Sequence, residues 1–261
     1  MNAPQARPRS YDALIIGGGH NGLIAAAYLA RSGKKVCVLE RRHVLGGCAT
    51  TEELWPGYKV STAAYVISLL RPEIIRELRL AQYGLEILPR DPSSFTPLVD
   101  GRYLLLSANE RASCREIAKF SERDAEAYPS YNAFLGRVAA ALEPALAKCA
   151  PDPLPLSKER RKISVTKRLR DTGKVLELYQ ALASLGDEMP AAIELLTGAA
   201  RPILERWFES EVLRATLATD AVIGAHASPS YPGTGYVLLH HVMGEMGGAR
   251  GVWGYVHGGM G

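Results

Sequence analysis

The chain is poor in cysteine: four in 261 residues (Cys37, Cys48, Cys114, Cys149), with no C-x-x-C pair. That spacing excludes a disulfide framework and a cysteine zinc site, and it fits a reducing compartment. No apolar run approaches the roughly 18 residues that a spanning helix needs, so no transmembrane segment is expected. Neither sign of charge dominates. Lys+Arg total 31 against 27 Asp+Glu, a net +4 that is too small to argue for a nucleic-acid partner. The excess is local, because seven basic residues face one acid, Glu159, between Lys158 and Arg170. Such a run is most often a solvated face or linker; the other reading is contact with an anionic membrane or a protein partner. The opening MNAPQARPRS is too short and too proline-rich for a transit peptide and lacks the apolar stretch of a secretory signal. Charged residues at 22% and hydrophobic residues at 47% exclude wholesale disorder.

What is present begins at once. Tyr11–Ile16 is a short apolar run, Gly17-Gly18-Gly19 a turn, Asn21–Arg31 an alanine-rich helix, and Lys35–Leu39 a second apolar run closed by Glu40. Strand, turn, helix and strand within about thirty residues predict a parallel βαβ unit with a right-handed crossover. A Gly/Thr-rich loop and a Trp55-Pro56-Gly57-Tyr58 turn follow. Pro72 opens a predicted helix to Tyr83 that stops at Gly84, and Asp100-Gly101 predicts a two-residue hairpin between Phe95–Val99 and Arg102–Ser107. Ser121 to Asp124 reads as a capping box that starts a long helix toward Cys149. Helices are then expected over Val175–Leu185, Met189–Leu196, Pro202–Phe208 and Glu211–Ile223, with a short strand over Val252–Val256. The expected domains are 1–150 for the dinucleotide-binding region, 151–172 for a basic linker or insertion, and 173–261 for a helical substrate region. The last eighteen residues hold eight glycines and stop at Gly258-Gly-Met-Gly261 within a motif. The sequence is therefore expected to be part of a longer chain, and the fold to be incomplete.

The chemistry lies in Gly17-x-Gly19-x-x-Gly22. Alone this spacing is weak; a strand before it, a helix after it and an acid eighteen positions beyond its last glycine make it specific. Gly17 permits the tight turn, Gly19 lets the backbone approach a pyrophosphate, and Gly22 lets helix pack on strand. Free amides and partial positive charge at the helix start suit phosphates. Glu40 would accept hydrogen bonds from the adenosine ribose. Arg41 and Arg42 could meet a 2′-phosphate, but Glu40 at the ribose position argues against NADP. The competing reading is a glycine turn with no ligand.

Glu40-x5-Gly46-Gly47 extends this fingerprint, and with it the sequence resembles the phytoene-desaturase-like (carotenoid/retinoid) FAD oxidoreductases. The resemblance is carried by Gly17–Leu29, Glu40–Gly47, Ser68–Ile74, Phe208–Ala225 and Pro232–Gly261, and so runs through nearly the whole chain. It implies an α/β fold: a Rossmann-type FAD-binding βαβ domain with a largely helical substrate or cap region. It also implies FAD as cofactor, touched by Gly17, Gly19, His20, Asn21, Gly22, Glu40, Arg41, Gly46 and Gly47. The implied reaction is hydride abstraction from an apolar small molecule. Members of the family are substantially longer, and a C-terminal segment returns to complete the FAD site. By the same resemblance the setting is intracellular and soluble, the mitochondrial matrix for animal members and the cytoplasm for bacterial ones. Flavin disulfide reductases carry two cysteines just after the glycine pair; here Cys48 is followed five positions later by Glu53. Cys48 is therefore expected to be a small buried residue and not a redox centre.

No metal site is expected, since adjacent His240 and His241 point in different directions on a helix. His257, beside Gly258-Gly259, lies in a segment that in the family approaches cofactor and substrate; filling a loop is its plainer role. No catalytic acid or base can be named from spacing. Apolar stripes between Gly173 and Gly224 could line a lipid-like cavity, although core packing is their commoner cause. Two other functions stay open: a non-catalytic flavin-fold regulatory partner of mitochondrial function, and an NAD-dependent dehydrogenase.

Overall fold

The computed structural model describes residues 10–146, 148–151, 165–246 and 249–261. Contacts divide the chain into two compact units, Met1–Arg90 with Trp253–Gly261, and Asp91–Val252. Residues 152–164 of the expected basic linker or insertion (151–172) lie outside the described residues, as do residues 1–9.

The first unit opens with β1 (Ala13–Ile16), α1 (His20–Arg31) and β2 (Val36–Leu39). The strands pair in parallel, Ala13 opposite Val36 through Ile16 opposite Leu39, so the βαβ unit forms as expected. A hairpin of β3 (Thr51–Trp55) and β4 (Tyr58–Ser61) turns at Pro56-Gly57. The sequence suggests only a loop and a turn here, because Gly/Thr content hides the short alternation of a hairpin. The helix expected from Pro72 to Tyr83 is corrected: α2 (Pro72–Glu77) stops, Arg79 adopts a left-handed φ of 55°, and a 3-10 turn covers Leu80–Tyr83. A non-glycine residue in that region breaks any helix through it. β5 (Ile87–Pro89) ends this part of the unit.

In the second unit, β6 (Ser94–Pro97) and β7 (Tyr103–Leu106) pair with Ser94 opposite Leu106. Leu98 N bonds Arg102 O and Gly101 N bonds Leu98 O, with Gly101 at φ 85°. The loop therefore holds three residues, not two, because the glycine serves as the left-handed exit of a longer turn. The helices are α3 (Glu110–Ala118), α4 (Glu122–Leu146), α5 (Val165–Ala183), α6 (Met189–Thr197), α7 (Ala200–Trp207), α8 (Glu211–Ala218) and α9 (Thr234–Val242). α9 has no counterpart among the elements expected from sequence, and the helix expected to reach Ile223 passes into a 3-10 turn at Thr219. β8 (Glu245–Met246) and β9 (Ala249–Arg250) form a small hairpin, after which β10 (Gly254–Val256) returns to pair antiparallel with β5 in the first unit.

α4 continues through Pro129 because its inner face buries Tyr128, Tyr131, Leu135, Val138 and Leu142, spaced by threes and fours. At about 1.5–3 kcal/mol per buried large side chain, this row outweighs the ~3 kcal/mol that an interior proline costs. Tyr131 sits edge-on to Trp207 and Phe208, with ring centroids at 5.7 and 5.0 Å. The apolar residues of α6 to α8, including Leu195, Leu204, Leu213 and Leu217, join the same core. Much of α6 to α8 is therefore core, whereas Leu176, Tyr179 and Ile193, also between Gly173 and Gly224, are exposed.

The capping box also acts differently from expectation. Ser121 Oγ accepts from the Asp124 amide at 3.1 Å, but Asp124 does not reciprocate. Its fully buried carboxylate accepts from the amides of Glu209 (2.9 Å) and Ser210 (2.8 Å), where α8 begins.

All fully buried apolar side chains among the described residues, Leu104 through Met243, lie in the second unit. In the first, Leu14, Ile16 and Leu39 remain exposed on the two-stranded parallel pair. Parallel strands are ordinarily covered on both faces, and these side chains depart from that rule.

Candidate functional site

Gly17 ends β1, taking φ 102° and donating its amide to Leu39 O at 2.8 Å. Gly19 is the N-cap of α1, and the first helical bond runs from Leu23 N to Gly19 O. By helix geometry the amides of His20, Asn21 and Gly22 then have no carbonyl within the helix to bond. α1 has no side-chain cap and no acidic residue in its first turn. Positive partial charge at this end therefore goes uncompensated by carboxylates of the helix itself, which suits an anion.

Gly22 is fixed by packing: a Cβ there would lie 2.3 Å from Gly17 O. Gly47 is similar, its Cβ reaching 3.0 Å from Gly19 Cα, and Gly46 takes φ 116°. Gly46 N donates to Gly18 O at 2.8 Å, joining the second glycine pair to the first turn backbone to backbone. Gly19 differs, because an added Cβ would meet only ordinary contacts, the nearest at 3.8 Å. The protein itself makes no demand for glycine at Gly19; a ligand approaching the backbone would.

Glu40 turns toward this loop. Oε2 accepts from Gly18 N at 2.7 Å and Oε1 from Arg42 N at 2.8 Å. These amides, Arg42 first and Gly18 second, hold the carboxyl below the usual glutamate range against the opposing cost of desolvation. Arg42 pairs through its side chain with Glu52, which occupies the guanidinium that could have met a 2′-phosphate. Arg41, His20 and Asn21 are exposed.

Three features are not evident from sequence. Gly18 supplies both the amide for Glu40 and the carbonyl for Gly46, and Leu45 packs so closely that a Cβ on Gly18 would lie 2.6 Å from its Cδ2. The glycines at 258–261 lie against Thr50 and Thr51: Gly261 N donates to Thr51 Oγ1 at 3.0 Å and Met260 N to Ser61 Oγ at 3.1 Å. A Cβ on Gly259 would overlap the Thr51 side chain. The glycine count at 258–261 is the available signal; its partner is not readable. Finally, Cys48 is exposed in the 3-10 turn Gly47–Ala49, not buried, because that turn carries it outward from the glycine pair.

The histidines gather no metal set: no cluster of three His, Cys, Asp or Glu occurs among the described residues. His240 stacks on Tyr236, and burial holds its pKa below the usual histidine value, while His241 Nδ1 lies 2.8 Å from Val237 O. His257 is exposed, 3.5 Å from Glu86. Among the described residues no helix is long and apolar enough to cross a membrane.

Strand, glycine turn, uncapped helix and strand-end carboxylate together define a Rossmann-like dinucleotide-binding domain, and residues 15–78 match the family model of NAD(P)-binding Rossmann-like domains. Beyond that segment, the chain is a homologue of pyridine nucleotide-disulfide oxidoreductase domain-containing protein 2. It is 48% identical to the Rattus norvegicus protein over 258 residues, covering 96% of this chain and 44% of that protein. The chain thus spans under half the length of these curated relatives. A limonene dehydrogenase subunit of Castellaniella defragrans is 37% identical over 118 residues, 45% of this chain and 21% of that protein. In fold the chain is similar to cyclohexylamine oxidase from Brevibacterium oxydans, at a TM-score of 0.51 and 21% identity, covering 97% of this chain and 47% of that one. By their names, these sequence relatives are an oxidoreductase domain-containing protein and a dehydrogenase subunit.

Proposed function

We propose that the first unit binds the ADP half of FAD and serves an oxidoreductase that removes hydride from an apolar substrate. The observation that carries this reading is the Glu40 carboxylate held at the glycine turn by the Gly18 amide, beside an α1 N-terminus with no acid of its own. The amides of His20, Asn21 and Gly22 would hold the diphosphate. Glu40, ionised at neutral pH, would accept from the ribose hydroxyls, and a carboxylate there repels a 2′-phosphate. Gly46-Gly47 is bonded to the first turn and would extend the contact surface past the diphosphate, which supports FAD over NAD. The flavin, when bound, supplies the hydride chemistry; the chain binds, orients and shields it. An apolar substrate is supported by the likeness to the limonene dehydrogenase chain.

The test is Glu40→Ala. Losing hydrogen bonds to a charged acceptor should weaken FAD binding by about 10–100-fold, read by titration calorimetry. Because the Glu40 pKa is lowered, the wild-type contact should hold through neutral pH. It should be lost only as pH falls below the ordinary glutamate value and through the depressed one. Unchanged affinity in Glu40→Ala would show that the ribose contact is misplaced. Anaerobic mixing with apolar donors then tests the reaction: bleaching of the bound flavin supports hydride abstraction, and a flavin that no donor reduces favours the regulatory alternative.

A further inference from the structure

Residues 257–261 reach back, within the first unit, to the turn that carries the second glycine pair. β10 is held on β5, and His257 N donates to Glu86 O at 2.9 Å. Gly258 and Gly259 then take left-handed φ of 82° and 107°, a reversal that glycine alone makes without strain. This lays the chain on β3 and β4, where Met260 N donates to Ser61 Oγ and Gly261 N to Thr51 Oγ1. The approach is close. A Cβ on Gly259 would stand 2.2 Å from Thr51 Oγ1, and one on Gly261 2.4 Å from Ala49 O.

Ala49 O is where this strap meets the candidate site. A Cβ on Gly46 would lie 2.8 Å from the same oxygen, so Gly46 and Gly261 both crowd one carbonyl. Ala49 N donates to Gly46 O at 3.0 Å, and the hydroxyl of the buried Thr50 donates to Gly47 O. Gly46 N in turn donates to Gly18 O at 2.8 Å, in the loop that Glu40 also holds. A series of direct contacts thus runs from Gly259 and Thr51 to the glycine pair. Glycine backbone has the widest conformational freedom in a chain, so the shape of Gly46-Gly47 depends on what packs against it.

We propose that the 257–261 strap, seated on Thr51, holds Gly46-Gly47 in the shape that FAD needs, which makes Thr51 a positioning residue for the cofactor. This rests on the reading that FAD occupies the first unit, its ADP half on α1 and Glu40 and the remainder passing Gly46-Gly47. Loosening the strap should therefore cost FAD more than ADP. Gly259→Ala forces a methyl group into the Thr51 side chain at a left-handed φ. Thr51→Val removes only the acceptor of the Gly261 amide, and Thr51→Ser keeps it. The first measurement needs no ligand. It is amide hydrogen exchange in the 261-residue chain, where Gly46 and Ala49 should exchange about tenfold faster in Gly259→Ala. The second is calorimetric titration with FAD and with ADP. FAD affinity should fall about tenfold in Gly259→Ala and about threefold in Thr51→Val, the range of a single hydrogen bond, while Thr51→Ser binds as wild type. ADP affinity should keep its wild-type value in all three. Wild-type exchange rates in Gly259→Ala would overturn the strap itself. Faster exchange with unchanged FAD affinity, or equal losses for FAD and ADP, would overturn its part in binding FAD. A wild-type chain that binds neither nucleotide would instead remove the reading of the site, and the proposal with it.

Discussion

Gly22→Val should abolish adenine-dinucleotide binding while leaving the second unit folded. The clash is with backbone: a Cβ at Gly22 would stand 2.3 Å from Gly17 O and 3.3 Å from Ile15 Cγ2. A carbonyl in a tight turn cannot rotate aside as a flexible side chain can, so α1 must lift from β1. Overpacking of this kind costs about 1–3 kcal/mol in stability. The larger effect is on binding, because the helix start that would meet the diphosphate moves with the helix. Two lost charge-assisted hydrogen bonds, at about 1.5–3 kcal/mol each, imply an affinity loss of about a hundredfold or more. The check is FAD titration alongside far-ultraviolet circular dichroism. Among the described residues the buried apolar core lies within 91–252, so most helical signal should survive. Binding within threefold (~0.65 kcal/mol) of wild type would show that the ligand does not use this helix start.

Asp124→Ala is the largest expected change in stability. The carboxylate is fully buried and accepts from the Glu209 and Ser210 amides at 2.9 and 2.8 Å. Ser210 caps α8, so the negative charge also faces the positive end of that helix. Alanine leaves two amides without their acceptor in a buried place, a loss of about 3–5 kcal/mol. Asp124→Asn keeps one acceptor oxygen and should cost roughly half as much. Urea denaturation followed by circular dichroism measures both. A loss under about 1 kcal/mol for alanine would mean that water takes the carboxylate's place and that Asp124 does not organise this junction.

These two residues mark what is legible in the sequence. Gly22 announces itself because helix and strand are adjacent in the chain, so spacing alone states the geometry. The same holds for β1, α1 and β2 and for the start of α2 at Pro72, each set by local periodicity and turn chemistry. Asp124 reads in sequence as a local cap, whereas its partners lie 85 and 86 residues away. No pattern within a few residues encodes such a contact. Arg79 breaks its helix although arginine is a good helix former, so local propensity gives way to the path of the chain. At the candidate site, Glu40 and the glycines are readable, but the role of Gly18 is not, since it occupies a variable position of the fingerprint. Phe208–Ala225, one of the segments that carry the resemblance, proves to hold core and capping residues, Phe208 and Ser210 among them.

The central claim is that the start of α1 and Glu40 together hold an adenine dinucleotide. Thermal unfolding of the chain with FAD, ADP or NAD tests it directly. A site saturated at a hundredfold excess over its dissociation constant gains about 2.7 kcal/mol, a rise of several degrees in melting temperature. FAD and ADP should both produce this rise, NAD should produce less, and Glu40→Ala should remove most of it. A melting temperature that no adenine nucleotide moves, or one that NAD raises while FAD does not, would contradict the account.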